Sequence, residues 1–497
     1  MPKKVDLLLV TPPSRLQVYQ QLVNEFAAIE PPVWSALVAE YIKNNGFKVI
    51  ILDAEAENLT HEQTAEIILK VNAVLTVFVI YGQQPSASTQ CMPGGRKVAE
   101  IVQKESDLST MVMGTHASAL PQRTLLEEPY TFVCQGEGAD TVLNLINVLK
   151  SPNPSNLDQI AGLWYMDNGS AHSNPAQKNI QDLDSKLPRQ AWDLLDMKKY
   201  KAHNWHCFDD LSSRDSYASL QTSLGCPYKC SFCCINAPFG VAGIRYWSVE
   251  NVIDQIDELV VKYGVKNIKI PDEMFVLNPS HVMGICDKVI ERKYDINFWA
   301  YARIDTVKDL FLEKLKKAGF NWLGIGIESG SDFVRDGVEK GRFGLSGITK
   351  TIEKIKSHGI YVGGNYIFGL PDDTMESMRE TLSLSLELNT EWANYYCAMA
   401  YPGSPLYQIA KEKKWTTPDD KGGPGWIGYS QHSFQSQPLP TNTLTYQEVL
   451  DFRDDAFETY FNSPSYLNMI KSKFGQEVVE HIKRMLTIKL KRKHRDT

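Results

Sequence analysis

Gly225-Cys226-Pro227-Tyr228-Lys229-Cys230-Ser231-Phe232-Cys233-Cys234 decides how this chain is read. Cys226, Cys230 and Cys233 stand at C-x3-C-x2-C spacing, so one short loop presents three thiols. Three thiolates hold three corners of a cubane 4Fe-4S cluster, whereas tetrahedral zinc or a fully ligated cluster wants a fourth ligand. The spacing therefore points to a cluster with one open iron. A zinc site completed by Cys234 or Cys207 is the plainer alternative. A C-x3-C-x3-C register ending at Cys234 is another, but adjacent cysteines seldom both reach one cluster, and Cys234 reads as a packed thiol.

The loop directly follows a strand candidate, Tyr217–Ser223, and opens a run of alternating strands and helices. The later strand candidates are Asn267–Ile270, Ile296–Tyr301, Trp322–Ile327, Tyr361–Phe368 and Trp392–Met399. Val252, Ile253, Ile256, Leu259 and Val260 give one intervening helix an apolar stripe, and Gly264, Gly319 and Gly359 stand where helices stop. Repeated βα units over 216–410 predict a partial (β/α)6 barrel, with chemistry at the carboxyl ends of its strands.

Upstream, residues 1–150 carry strand candidates Val5–Val10, Phe47–Leu52, Val74–Ile80, Thr110–Gly114 and Thr131–Cys134, again separated by helical patterns. Such spacing predicts a doubly wound, Rossmann-like parallel sheet that binds ligands at its strand ends. The loops there contain Ser14, Gly82 and Ser86, Gly114 and His116, and Gly136-Glu137-Gly138. Small residues let backbone approach a large ligand, although tight turns alone would use them too. Residues 151–215 read as a connecting segment with one hairpin, and 411–497 as a mainly helical region. Its Trp415, Trp426, Tyr429 and Phe434 fit core better than ligand contacts. The closing Lys489-Leu490-Lys491-Arg492-Lys493-His494-Arg495 reads as a solvated basic tail.

Composition narrows the class. The chain has 497 residues, a formal charge of −7, 43% hydrophobic and 22% charged residues, which suits a globular protein and gives no reason to expect nucleic acid. No apolar run approaches the ~20 residues of a membrane helix, and Met1–Lys4 leads straight into a strand-like run without a leader pattern. Nine thinly spread cysteines argue against a disulfide framework and for a reducing, cytoplasmic setting.

Taken together, the motifs resemble the radical S-adenosylmethionine (SAM) superfamily, and more narrowly its members with an amino-terminal cobalamin-binding domain. Besides the cysteine loop, the resemblance rests on Pro31-Pro32, Gly114-Thr115-His116-Ala117 with Leu120-Pro121, Gln135-Gly136-Glu137-Gly138 and Pro271-Asp272-Glu273-Met274-Phe275. It continues through Gly324-Ile325-Gly326-Ile327-Glu328-Ser329-Gly330, Phe368-Gly369-Leu370-Pro371 and Tyr401-Pro402-Gly403-Ser404-Pro405-Leu406-Tyr407. Each is weak alone, and the ordered set is specific.

The resemblance implies a 4Fe-4S cluster on Cys226, Cys230 and Cys233 whose open iron chelates SAM and cleaves it to a 5′-deoxyadenosyl radical. Asp272 and Glu273 would hold the SAM ammonium, Arg303 its carboxylate, Glu328 and Ser329 the ribose, while Phe232 would stack on adenine. Solvated loops, barrel-end salt bridges and core packing are the alternatives for these residues. Cobalamin would lie on the loops at Ser14, Gly82, Ser86, Gly114, His116, Gly136, Glu137 and Gly138. The D-x-H-x-x-G cobalt-ligand motif is absent, and His116 matches the family's Gly-Gly-x-His turn, so no protein ligand to cobalt is expected. The function implied is methyl transfer to a poorly activated carbon of a small-molecule, lipid or natural-product substrate, with flavodoxin or ferredoxin as electron donor. A cyclase, oxidase or dehydratase on the same scaffold, with or without cobalamin, is the first rival. A non-catalytic cobalamin or cluster sensor is the second. Methylthiolation would need further cluster cysteines, and beyond the loop and its nearby Cys207 only Cys91, Cys134, Cys286 and Cys397 remain.

Overall fold

A computed structural model of the chain describes residues 5–23, 25–81, 87–151, 156–341 and 343–496. The amino-terminal apolar runs form parallel strands β1 (Leu7–Thr11), β2 (Val49–Asp53), β3 (Leu75–Val79), β4 (Thr110–Met113) and β5 (Phe132–Cys134). Helices cover both faces, so β3 and β4 are buried throughout and need no polar alternation. β6 (Leu163–Asp167) and β7 (Ser170–Ser173) form the hairpin expected after residue 150, around Asn168-Gly169, both at positive φ as such a turn requires. The hairpin pairs antiparallel with β5, so the sheet has seven strands in the order β2-β1-β3-β4-β5-β6-β7.

The second sheet is all parallel. Its strands are β8 (Tyr217–Ser219), β11 (Asn267–Ile270), β12 (Asn297–Arg303), β13 (Phe320–Glu328), β14 (Tyr361–Phe368) and β15 (Trp392–Cys397), in the order β15-β14-β13-β12-β11-β8. β8 and β15 do not pair with each other, which leaves a partial barrel. The expected strand Tyr217–Ser223 divides here. Asp272 accepts hydrogen bonds from the Thr222 backbone and hydroxyl and from Ser223 Oγ. That pull turns the chain off the barrel into β9 (Ser223–Leu224), which pairs antiparallel with β10 (Arg245–Tyr246). The striped helix Val249–Tyr263 is capped by Ser248 and ends at Gly264 in the left-handed region, as its sequence predicts.

Aromatic side chains plug the amino ends of the barrel strands. The Trp205 ring lies 4.9 Å from that of Trp299 and 5.2 Å from that of Trp322. Beside the free edge at β8, Glu30 from the first unit bonds Tyr217 Oη and pairs with Lys269 Nζ at 2.9 Å. Burial raises the Glu30 carboxyl, but Lys269 and His203 outweigh it and bring it down to about 2. Removing either partner would strand a buried charge, so the pair ties the two units together.

Helices Tyr446–Phe461, Pro464–Phe474 and Gln476–Thr487 make up the carboxyl-terminal region. Trp426 and Tyr429 are core residues, as expected. The basic terminus departs from expectation: Arg492 is wholly buried against Asp454, while its neighbours Lys491 and Lys493 stay exposed. A charged run reads as solvated unless a buried carboxylate claims one member. Among the described residues no helix is long and apolar enough to cross a membrane.

Candidate functional site

The β9–β10 pair brackets the cysteine loop at the mouth of the barrel. Gly243 N donates to the Cys226 carbonyl at 3.1 Å, and Cys233 N to the Cys230 carbonyl at 3.1 Å, so the three cysteines share one closed loop. Cys226 and Cys230 are buried and Cys233 is half-buried. Cys234 turns away into an apolar cluster with Ala117, Met399, Tyr401 and Trp426. Cys207 lies in the aromatic plug at the far end of the barrel. A tetrahedral zinc site would need a fourth ligand beside the three loop thiols, and neither Cys234 nor Cys207 is placed to give it. A cubane instead spreads its ligands over separate irons. Arg303 Nη1 stands 3.5 Å from Cys230 Sγ, with its guanidinium 3.9 Å above the Tyr228 ring. A cation there complements thiols that become anionic on binding iron, so the donor set fits a cluster.

Around this loop, the strand-end residues divide into those already bonded and those with bonding capacity left. Asp272 Oδ1 accepts from Thr222 N and Oδ2 from the Thr222 and Ser223 hydroxyls, so Asp272 is buried and braces the loop. Glu273 makes no hydrogen bond among the described residues. Burial, with Asp272 beside it, pushes its carboxyl up to about 7. Arg303 is held in a fork by Asp305, through Nε and Nη2 at 2.9 Å each. Glu328 ends β13 with φ 68°, a left-handed backbone that is uncommon for a side-chain-bearing residue and recurs at functional sites. Its carboxylate pairs with Lys340 Nζ, and both side chains are buried. Ser329 is fully buried, lies 3.2 Å from Thr381 Oγ1 and accepts from Ser331 N, so it holds its own turn instead of facing the mouth. Phe232 is half-buried beside Val338, Leu370 and Ala398.

Across from the cysteine loop stand the strand-end loops of the first sheet. A Cβ on Gly403 would lie 2.7 Å from Ala237 Cβ and 3.0 Å from Ala119 Cβ, so the two sides meet there at small residues. Gly114, at φ 151°, has room for no side chain because a Cβ would strike the Ile80 carbonyl oxygen. Gly136 bonds Tyr81 Oη through its carbonyl and Ser118 Oγ through its N–H. Gly114 thus lets the loop pack on the Ile80 backbone, and Gly136 brings its loop to within reach of Pro238 beside the cysteine loop. Ser14 N donates to the Glu55 carboxylate. His116 is buried, with Nδ1 3.2 Å from Thr89 Oγ1 and its ring edge-on to Trp426 at 4.4 Å. Burial brings it down to about 3, so the ring is neutral. Glu137 is committed elsewhere: Oε2 accepts from Ile180 N at 2.7 Å and Oε1 pairs with Arg245 Nη2 at 2.7 Å. Gly82 and Ser86 lie outside the described residues.

Comparison with known proteins fits this geometry. The profile of the radical SAM superfamily matches residues 220–385, and that of the B12 binding domain matches 19–146. An uncharacterised methyltransferase of Pyrococcus horikoshii is 30% identical over 410 residues, spanning 82% of this chain and 83% of its own. The chain belongs to the radical SAM superfamily. It does so with a B12 binding domain in front of the radical SAM domain. The anaerobic magnesium-protoporphyrin IX monomethyl ester cyclase of Rubrivivax gelatinosus is 23% identical over 89% of this chain and 76% of its own. Among solved structures, the radical SAM methyltransferase TsrM of Kitasatospora setae, with cobalamin and a 4Fe-4S cluster bound, shares the fold. Its TM-score is 0.68 at 15% identity, covering 90% of each chain.

Two residues of the radical SAM site are not expected from the motifs. Lys340 occupies a loop between Gly337 and Gly341, and its carbonyl also accepts from Arg303 Nη2. A lysine between glycines, one helix beyond the Glu328 strand end, is the only hint the sequence offers. Arg245 carries no hint, because its partner Glu137 lies more than a hundred residues upstream in the B12 binding domain.

Proposed function

We propose that this radical SAM enzyme is a cobalamin-dependent methyltransferase that acts on an unactivated carbon of a small molecule. The observation that carries this reading is the three-thiol loop at the barrel mouth, set directly against the glycine-lined strand ends of the B12 binding domain. When bound, the cluster, SAM and cobalamin supply radical formation and a transferable methyl group. Cys226, Cys230 and Cys233 hold the iron. Glu273 accepts from the SAM ammonium, Arg303 faces its carboxylate, and Phe232 packs on adenine. Lys340 fixes the Glu328 carboxylate so that its second oxygen receives the ribose hydroxyls. Burial at the meeting of the two domains excludes water and stray hydrogen donors, which a radical requires. Flavodoxin or ferredoxin in the cytoplasm serves as electron donor. We divide the chain into a B12 binding unit (1–150), a connecting segment (151–215), the barrel (216–410) and a helical end (411–497), with the β6–β7 hairpin completing the first sheet.

SAM cleavage to 5′-deoxyadenosine under a strong reductant tests these roles. Glu273→Ala, Arg303→Ala and Glu328→Ala should each lose about 1.5–3 kcal/mol of SAM binding, roughly ten- to hundredfold in affinity. Undiminished affinity in all three would remove the assignments. Cobalamin gives the second test. Bound hydroxocobalamin is expected to show base-off spectra without imidazole-nitrogen splitting in the cob(II)alamin resonance, unchanged by His116→Ala. Splitting that disappears in that variant would make His116 the cobalt ligand. Failure to retain cobalamin would remove methyl transfer.

Cyclisation is the second reading, favoured by the relative from Rubrivivax gelatinosus that spans most of the chain. The product decides between them, since methyl transfer adds the mass of one methylene to the substrate and cyclisation does not.

A further inference from the structure

We propose that Glu137 and Arg245 form a strut that fixes the spacing between the crevice of the B12 binding domain and the cysteine loop, so that Glu137 is a positioning residue and not a cofactor contact. The proposal rests on the two-cofactor reading above. Glu137 lies in the loop after β5, between Gly136 and Gly138, and Arg245 opens β10, the strand on which the cysteine loop returns. Their side chains pair at 2.7 Å with little exposure, 3% for Glu137 and 14% for Arg245. The other Glu137 oxygen takes the Ile180 N–H, and Arg245 Nη1 donates to the Ile180 carbonyl. One carboxylate and one guanidinium thereby clamp both polar atoms of a single peptide residue from the connecting segment.

Neighbouring contacts run the same way. Asn179 Nδ2 donates to the Phe239 carbonyl at 2.8 Å, and the Arg245 guanidinium lies 5.2 Å over the Phe239 ring. A Cβ on Gly136 would stand 3.8 Å from the Pro238 carbonyl oxygen. On the other side Trp34 stacks on Tyr81 at 4.3 Å, and Tyr81 Oη donates to the Gly136 carbonyl. The loop after β5 and the returning limb of the cysteine loop are thus tied through one buried ion pair and one shared peptide residue, with Trp34 also reaching the Phe239 ring at 6.4 Å. A buried ion pair whose two members also grip the N–H and the carbonyl of one residue holds its ends together, and it transmits a shift at either end. Chemistry passing between two bound groups depends steeply on their separation, so a fixed strut has a use that a sliding apolar contact lacks.

The experiment compares Glu137→Gln and Arg245→Met with the unaltered chain, cofactor-free and loaded. In cofactor-free protein, amide exchange over 136–138 and 238–246 should rise together by about tenfold, as local opening becomes easier once the pair is lost. In protein loaded with cob(II)alamin and reduced cluster, both groups should bind in full amount while the magnetic coupling between them weakens and spreads. Arg245→Lys should recover the coupling in part. Unchanged exchange with unchanged coupling would overturn the strut. So would loss of cobalamin in Glu137→Gln with exchange unchanged, which would make Glu137 a cofactor contact after all. If the unaltered chain retains no cobalamin, the functional reading fails while the exchange result still decides the strut.

Discussion

Anaerobic reconstitution of Cys226→Ala, Cys230→Ala or Cys233→Ala should give protein with no stable 4Fe-4S cluster, whereas Cys234→Ala should take up iron and sulfide like the unaltered chain. Loss of any one thiolate leaves two corners held by protein, and no other cysteine can step in. Cys207 is at the opposite end of the barrel, and Cys234 is packed among Ala117, Met399, Tyr401 and Trp426. Bringing Cys234 to the iron would mean rotating the loop after Cys230 and exposing that apolar cluster. Cys234→Ala should cost only about 1–2 kcal/mol of packing. Iron and sulfide content with the visible absorbance of the cluster measure all four variants. A cluster kept in Cys233→Ala and lost in Cys234→Ala would shift the ligand register by one residue.

What was legible in the sequence depended on how far apart the deciding residues lie. Strands Asn267–Ile270 and Tyr361–Phe368 fall where their apolar runs fall, because a buried parallel strand needs only such a run between turns. The break between β8 and β9 could not be read locally, since it is imposed by Asp272, some fifty residues later. The same holds at the site. The cysteine loop was legible because its chemistry is contained in eight residues. Asp272, Ser329 and Glu137 are residue types that could hold a cofactor, yet each is claimed by a partner distant in sequence: Thr222 and Ser223, Thr381, and Arg245. Lys340 carries no sequence signature for the converse reason, because a lone lysine in a polar loop looks solvated until Glu328 is seen beside it.

Arg492→Met should lower the stability of the carboxyl-terminal region by about 3 kcal/mol, an unusual cost for one residue in a basic terminus. Arg492 has no exposed surface. Its Nε and Nη2 grip the two Asp454 oxygens at 2.9 and 2.8 Å, and Nη1 donates to the Gln431 and Ser433 carbonyls at 2.9 and 3.1 Å. Burial raises the Asp454 carboxyl, but Arg492 and Arg453 outweigh it and bring it down to about 2. Because that value is depressed, the contribution is complete above the ordinary carboxylate value and is lost as pH falls from about 4 toward 2. Methionine fills the space but leaves the Gln431 carbonyl without its donor and takes both guanidinium contacts from the Asp454 carboxylate, while the Ser433 carbonyl keeps the Ser436 N–H. Arg492→Lys should recover less than half, since one ammonium cannot reach the carboxylate and both carbonyls together. The loss should also reach the amino terminus, because Gln20 bonds the backbone of Lys491 in both directions and the His432 carbonyl. Thermal midpoints, with amide exchange over 428–436 and 15–23, measure both effects. A methionine variant equal to the unaltered chain in both would mean that the terminus merely lies on the fold and does not hold it.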